Sequence, residues 1–243
     1  MMSTPTKKGR IVVITGAGGG LGKALAQSHL MAGDTVYGLE AFLMDGIKEL
    51  MDQSPKMNGF HCDIRQEESV REGIAQFIQY IPQVDLLYNV AGICFNQAKV
   101  GLTETDIELC KEMMDVNAYG MIRVTKELWH HLVPGTVILN ISSEAGSIHA
   151  ARRTSWYGYC MSKAAMNMAS KLLSNELWKR GVRVICIEPG WLKTQMGGQE
   201  AMESEYSITP ELSASHILSI VNDIDQIPPD QMYMTYQGNV LPW

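Results

Sequence analysis

Two hydrophobic patterns take turns along this chain. Short continuous apolar runs end in glycine or an acid, and longer stretches carry apolar residues at helical spacing. "RIVVIT" (10–15) is of the first kind, and its lack of polar alternation predicts a strand buried on both faces. "LGKALAQSHLMAG" (21–33) has helical spacing and stops at Gly33, a natural C-cap. The pair then recurs. "DTVYGLE" (34–40) precedes a helix at 42–53 with an awkward internal Gly46. "GFHCDI" (59–64) precedes a helix at 67–81, and "VDLLYNVAG" (84–92) a helical stretch from about 104 to 132. "GTVILNIS" (135–142), a helix at about 157–180 and "VRVICIEPG" (182–190) follow. A polar, irregular stretch (191–209) leads to a helix at 210–224 and a short strand at 231–236. Strict alternation without linker or repeat predicts one α/β domain over 10–243, a doubly wound parallel sheet flanked by helices, behind a short flexible tail at 1–9.

Composition narrows the class. Of 243 residues 46% are hydrophobic and 19% charged, an ordinary globular balance, and the net charge of -6 argues against a nucleic-acid surface. No apolar run reaches the length of a membrane span, and the opening residues lack the apolar region of a signal peptide. The five cysteines (Cys62, Cys94, Cys110, Cys160 and Cys186) are odd in number and form no C-x-x-C pair, which suits a reducing, cytoplasmic setting. The histidines lack ligand spacing, so no metal is expected.

Three features carry chemistry. "ITGAGGGLG" (14–22) joins the first strand to the first helix, where glycines let the backbone approach a pyrophosphate and the helix terminus offers N–H donors. Either Gly16, Gly20 and Gly22 or Gly16, Gly19 and Gly22 could form the motif. Glu40 lies 18 residues beyond Gly22, where a carboxylate meets the adenosine ribose and repels a 2′-phosphate. Neither Ala17 nor Ala41 offers a positive charge there, so NAD(H) is expected over NADP(H). "YCMSK" sets Tyr159 and Lys163 one helical turn apart on one face.

These features occur with "NVAG" (89–92), "NISS" (140–143) and "PGWLKT" (189–194) in one order. The set resembles the short-chain dehydrogenase/reductase family over essentially the whole chain, in its compact form. That implies a single-domain Rossmann fold and points to Gly16, Gly20, Leu21 and Gly22 as the phosphate turn. "GNVLPW" (238–243), with "NISSEAGSI" and "PGWLKTQMGG", resembles more loosely the sniffer-type carbonyl reductases and C-factor-like proteins. The resemblance implies an oxidoreductase interconverting a secondary alcohol and a ketone. Sniffer-type reductases tend toward NADPH, but the charge of Glu40 argues against it, so an NAD(H)-dependent enzyme is expected. Tyr159 would be the general acid/base, its pKa lowered by Lys163 together with the positive nicotinamide ring. Ser143 would polarise the substrate oxygen, and Asn117 would hold a proton-relay water. Asp63 would meet the adenine amino group, with Asn89, Ala91 and Gly92 on the adenosine side and Pro189, Gly190, Leu192 and Thr194 at the nicotinamide. A dinucleotide-binding signalling or scaffold protein with little turnover is the alternative.

Substrate is expected among 93–97, 144–157 and the stretch after Pro189. There Cys94, Phe95, His149, Trp156, Trp191 and Met196 give a mainly apolar lining, with Glu144 charged and 191–209 as a lid. A neutral, cyclic or aromatic ketone or alcohol fits that lining. Arg152 and Arg153 read as a solvated loop face. Ser143 and Tyr159 are 16 residues apart, more than the family's compact form has, so 147–158 must loop out. A homodimer or homotetramer is expected, with Met113, Met114, Met121, Leu128, Trp129, Met166, Leu173 and Trp178 as contact candidates.

Overall fold

A computed structural model describes residues 9–243, so nearly all of the tail expected at 1–9 lies outside the described residues. Seven parallel strands form one sheet in the order β3-β2-β1-β4-β5-β6-β7. They are β1 (Ile11–Thr15), β2 (Thr35–Glu40), β3 (Met57–His61), β4 (Val84–Asn89), β5 (Leu132–Ile141), β6 (Arg183–Glu188) and β7 (Tyr233–Thr235). The helices are α1 (Gly20–Met31), α2 (Met44–Gln53), α3 (Glu67–Ile78), α4 (Ile107–Met114), α5 (Met121–Glu127), α6 (Tyr157–Leu177), α7 (Gly198–Glu203) and α8 (Pro210–Asn222).

Continuous apolar strands are explained by burial on both faces. In β1, Val12 and Ile14 join a core with Leu25 of α1, Ile47 of α2 and Ile217 of α8. Val13, between them, points to the other core with Ile74 of α3, Val124 of α5 and Leu177 of α6. Local signals set several helix ends: Thr209 caps α8 by accepting from the Leu212 N–H, with Pro210 in the first turn.

Three expectations need correction. The stretch expected as one helix at 104–132 is broken into α4, a π-helical turn at Asp115–Gly120 and α5. Asn117 sits in that turn, its side chain bonded to the backbone of Ile93 rather than serving the helix. β5 begins three residues earlier than expected, at Leu132. The irregular stretch 191–209 holds α7 and is pinned at its base, where Ile208 N–H donates to Trp191 O and Lys193 N–H to Ile208 O, both at 2.9 Å. Gly46 also has its reason: a Cβ there would run into the Gly18 carbonyl oxygen, so α2 packs directly on the glycine turn.

Candidate active site

Strand order reverses beside β1, and there the carboxyl ends of β1 and β4 open onto a cavity of about 700 Å³. Gly16, Gly20 and Leu21 form one wall at the amino end of α1. Gly16 (φ +69) and Gly20 (φ +48) are left-handed, whereas Gly19 is extended at φ −156. Backbone geometry therefore demands glycine at 16 and 20. Gly22 does not line the cavity; a Cβ there would strike the Gly16 carbonyl, so it permits close packing of α1. This cradle of open backbone at a helix amino end suits a pyrophosphate.

One end of the cavity is acidic. Glu40 is 7% exposed, and its carboxylate accepts the N–H groups of Gly18 (3.0 Å), Ala41 (2.9 Å) and Phe42 (3.1 Å), bracing the glycine turn against the end of β2. Asp63 also lines this end. Its carboxylate is gripped by the Arg65 guanidinium, with contacts from 2.7 to 3.1 Å, which holds its pKa below the usual range. Arg65 stacks on Phe42, 5.3 Å from its centroid, and reaches Glu112 at 3.5 Å. Sequence reasoning missed Arg65, Phe42 and Glu112, because nothing local announces that the loops after β2 and β3 meet α4 here. Asn89 needs correction. Its amide lies inside the sheet, donating to Asn140 Oδ1 at 2.8 Å, and the cavity is lined instead by Ala91 and Gly92.

Tyr159 and Lys163 enter the cavity from the first turns of α6. Lys163 Nζ donates to Ile141 O at 2.8 Å and lies 5.7 Å from the Tyr159 ring centroid. Burial pulls the Lys163 pKa down to about 8 and pushes the Tyr159 phenol up, against the smaller opposing effect of the Ser143 hydroxyl. At the phenol burial outweighs any lowering by Lys163 alone, since that ammonium is itself desolvated and donates to Ile141; the phenol stays protonated. Ser143 Oγ accepts the Ala145 N–H (3.2 Å) and donates to Glu144 Oε2 (2.6 Å). Asn117, fully buried, donates to Ile93 O and Ser162 Oγ, both at 2.9 Å. A Cβ on Gly92 would approach Asn117 Oδ1 at 3.1 Å and Lys163 Nζ at 3.7 Å, so the three are close neighbours.

Ile93, Phe95 and Met196 line the cavity together with Pro189, Leu192 and Thr194. Cys94 is half-buried behind them. Gly190 is left-handed (φ +85) and donates to Glu188 Oε1 at 2.7 Å, outside the lining. Trp156 stands edge-on to Tyr159 at 6.2 Å, with Arg153 at 5.0 Å and Lys99 at 4.7 Å from its ring. Arg153 is exposed, as expected of a loop face, but it also pairs with the exposed Glu144, whose carboxyl Ser143 and Arg153 hold below its usual pKa. Arg152 is exposed, as expected. His149 and Trp191 are exposed and outside the lining; their backbones, not their rings, make the contacts that fix the loops.

Residues 10–205 match the family model for short chain dehydrogenases. The chain belongs to the short-chain dehydrogenase family. Oxidoreductase chemistry on alcohol or carbonyl groups with a nicotinamide dinucleotide comes with that membership. The chain is 28% identical over 211 residues to a 2,5-dichloro-2,5-cyclohexadiene-1,4-diol dehydrogenase of Sphingobium indicum, covering 86% of this chain and 82% of that protein. The fold is that of NADPH-bound carbonyl reductase from chicken fatty liver, with a TM-score of 0.88, 22% identity and coverage of 98% of this chain and 100% of that one. It is equally that of carbonyl reductase Sniffer of Drosophila melanogaster, with a TM-score of 0.86, 22% identity and the same coverage. Among the described residues no helix is long and apolar enough to cross a membrane.

Proposed function

We propose that this short-chain dehydrogenase interconverts a neutral secondary alcohol and its ketone with NAD(H). The convergence of Tyr159 and Lys163 on a cavity whose other end suits a dinucleotide, with the Ser143 hydroxyl hydrogen-bonded to Tyr159 just outside the lining, carries the reading. A nicotinamide, when bound, supplies or accepts the hydride. Tyr159, held protonated, gives its phenolic proton to the carbonyl oxygen during reduction and takes it back during oxidation. Ser143 contacts that same oxygen. Lys163 holds the nicotinamide ribose and, with Asn117 beside it, restores the Tyr159 proton.

Charge supports NAD(H). The adenosine end holds Glu40, Asp63 and Glu112 against the single cation Arg65, already paired, so a 2′-phosphate dianion would enter a net negative field. The apolar lining by Ile93, Phe95 and Met196, with Arg153 neutralised by Glu144, supports a neutral cyclic or aromatic substrate. The five unpaired cysteines support a cytoplasmic setting. Residues 191–209, pinned at their base, act as the lid over substrate.

Self-association is supported by one stripe of α6, where Met161, Met168 and Leu172 are exposed beside Tyr119 and Ile122. Trp178 is exposed too, whereas Met113, Met121, Leu128 and Met166 of the expected contact set are in the core.

The test titrates NADH and NADPH against the purified protein, then screens cyclic and aromatic ketones and alcohols with each, alongside Tyr159→Phe. NADH should bind more tightly, and Tyr159→Phe should lose turnover by about a thousandfold or more while binding NADH normally. NADPH preference would overturn the cofactor assignment. Tight NADH binding with no turnover of any probe would favour a signalling or scaffold role.

A further inference from the structure

Behind Ser143, on the side away from the cavity, the last residues of the sequence are built into the site. β7 is the edge strand, and the chain reverses after it at left-handed Gly238. Thr235 N–H donates to Asn239 O, and Leu241 N–H to Tyr233 O, both at 2.8 Å, so residues 239–241 run back along β7 as an antiparallel ribbon. The ribbon delivers Pro242 and Trp243 to the loop after Ser143. Ser147 Oγ donates to Pro242 O at 2.7 Å, and His149 N–H to Trp243 O at 2.9 Å. The Trp243 ring stacks on Tyr233, 5.2 Å between centroids and 22° between planes. Tyr233, 1% exposed, donates its hydroxyl to the Ser143 carbonyl oxygen at 2.5 Å.

The same loop is held from its other side by α6. Asn167 accepts the Ser142 hydroxyl at 2.6 Å and donates to Gly146 O at 3.1 Å. Ser142 to Gly146 is therefore fixed on both flanks, but Ser147 to His149, where the extra length between Ser143 and Tyr159 begins, is tied to the ribbon. Fixing the Ser143 carbonyl fixes the peptide plane from which its Oγ projects, and small displacements of such a group are costly to turnover.

We infer that the 236–243 ribbon is a latch that positions Ser143, with Tyr233 and Trp243 as positioning residues that act through its backbone and touch neither substrate nor cofactor. The assignment of Ser143 to the reacting oxygen rests on the function proposed above; the latch itself does not. Three variants test it: Tyr233→Phe, which removes one hydroxyl, Trp243→Ala, which removes the stack, and Trp243→Phe, which keeps a ring. Each is assayed as its NADH complex with cyclohexanone and acetophenone, and by hydrogen–deuterium exchange of the same complex. Tyr233→Phe and Trp243→Ala should lower kcat by about tenfold or more, leaving KM and the NADH Kd within about twofold, with Trp243→Phe near wild type. Amides of residues 144–150 should exchange about tenfold faster in Trp243→Ala, with α6 and β6 unchanged. Unchanged exchange in that loop overturns the latch, as does loosening spread evenly over β6 and β7. If the wild type turns over neither ketone, the functional reading is in question while exchange still decides the latch. If the wild type is active and the variants match it, the latch fails and the functional reading stands.

Discussion

Lys163 shows how one residue trades stability for chemistry. The residue is 5% exposed and the only bonded neighbour of its ammonium among the described residues is the Ile141 carbonyl, so its pKa falls from 10.5 to about 8. The folded protein thus binds fewer protons than the unfolded chain between those values, and stability rises with pH through that window. Below it, the fold carries a buried charge at a cost. Lys163→Met should therefore raise stability at neutral pH by about 1–2 kcal/mol, the lost Ile141 bond offsetting part of the gain, while turnover collapses. Denaturant titration at pH 7 and above 10.5 checks it: the advantage of the variant should shrink at the higher pH. Tyr159 and Lys163 were legible as a pair from their spacing. The protonated state of the phenol was not, because desolvation depends on what other segments bring around it.

At the scale of elements, the glycine turn and α2 form a unit that spacing does not reveal. Gly46 in a helix costs about 1 kcal/mol relative to alanine, yet its missing side chain lets α2 lie on the Gly18 carbonyl, and Gly18 N–H in turn bonds Glu40. Gly46→Ala should gain helix propensity and still lose stability, since the new methyl forces α2 off the turn. NADH affinity should fall by about tenfold as the Glu40 brace shifts; fluorescence titration and a thermal melt read both effects, and an unchanged Kd would show that turn and helix are independent. The broken helix at 107–127 follows the same logic. Its apolar spacing is continuous, but Asn117 bonds both backbone groups of Ile93, 24 residues away, and the π-helical turn holds it there.

Across the whole molecule, the two faces of the sheet are closed by helices, and one exposed apolar stripe lies on α6. A packed pair of such faces buries Met161, Met168 and Leu172 and leaves Lys163 and Tyr159 of the same helix facing their own cavities. Sedimentation at micromolar concentration should give a dimer or tetramer. Met168→Glu with Leu172→Glu should shift it to monomer with little loss of stability, since both positions are exposed in the single chain. A monomer for the unaltered protein would leave that stripe as ordinary surface.

The sequence by itself determined the alternation of buried strands and amphipathic helices, and with it the parallel sheet, because continuous apolar runs are stable only when covered on both faces. It also marked the glycine turn, Glu40, and the Tyr159 and Lys163 pair from residue type and spacing, and Ser143 through the family resemblance of its motif. Tertiary structure alone decided what those groups meet. Arg65 closes the acidic end of the cavity because two loops converge there, Arg153 lies against Trp156 and pairs with Glu144 while staying exposed, and Asn89 turns into the sheet toward Asn140. Trp243 lies 100 residues from Ser143 in the chain, yet stands one tyrosine away from it. Charge, burial and hydrogen bonding act over a few ångströms, and those distances exist only once the sheet has folded.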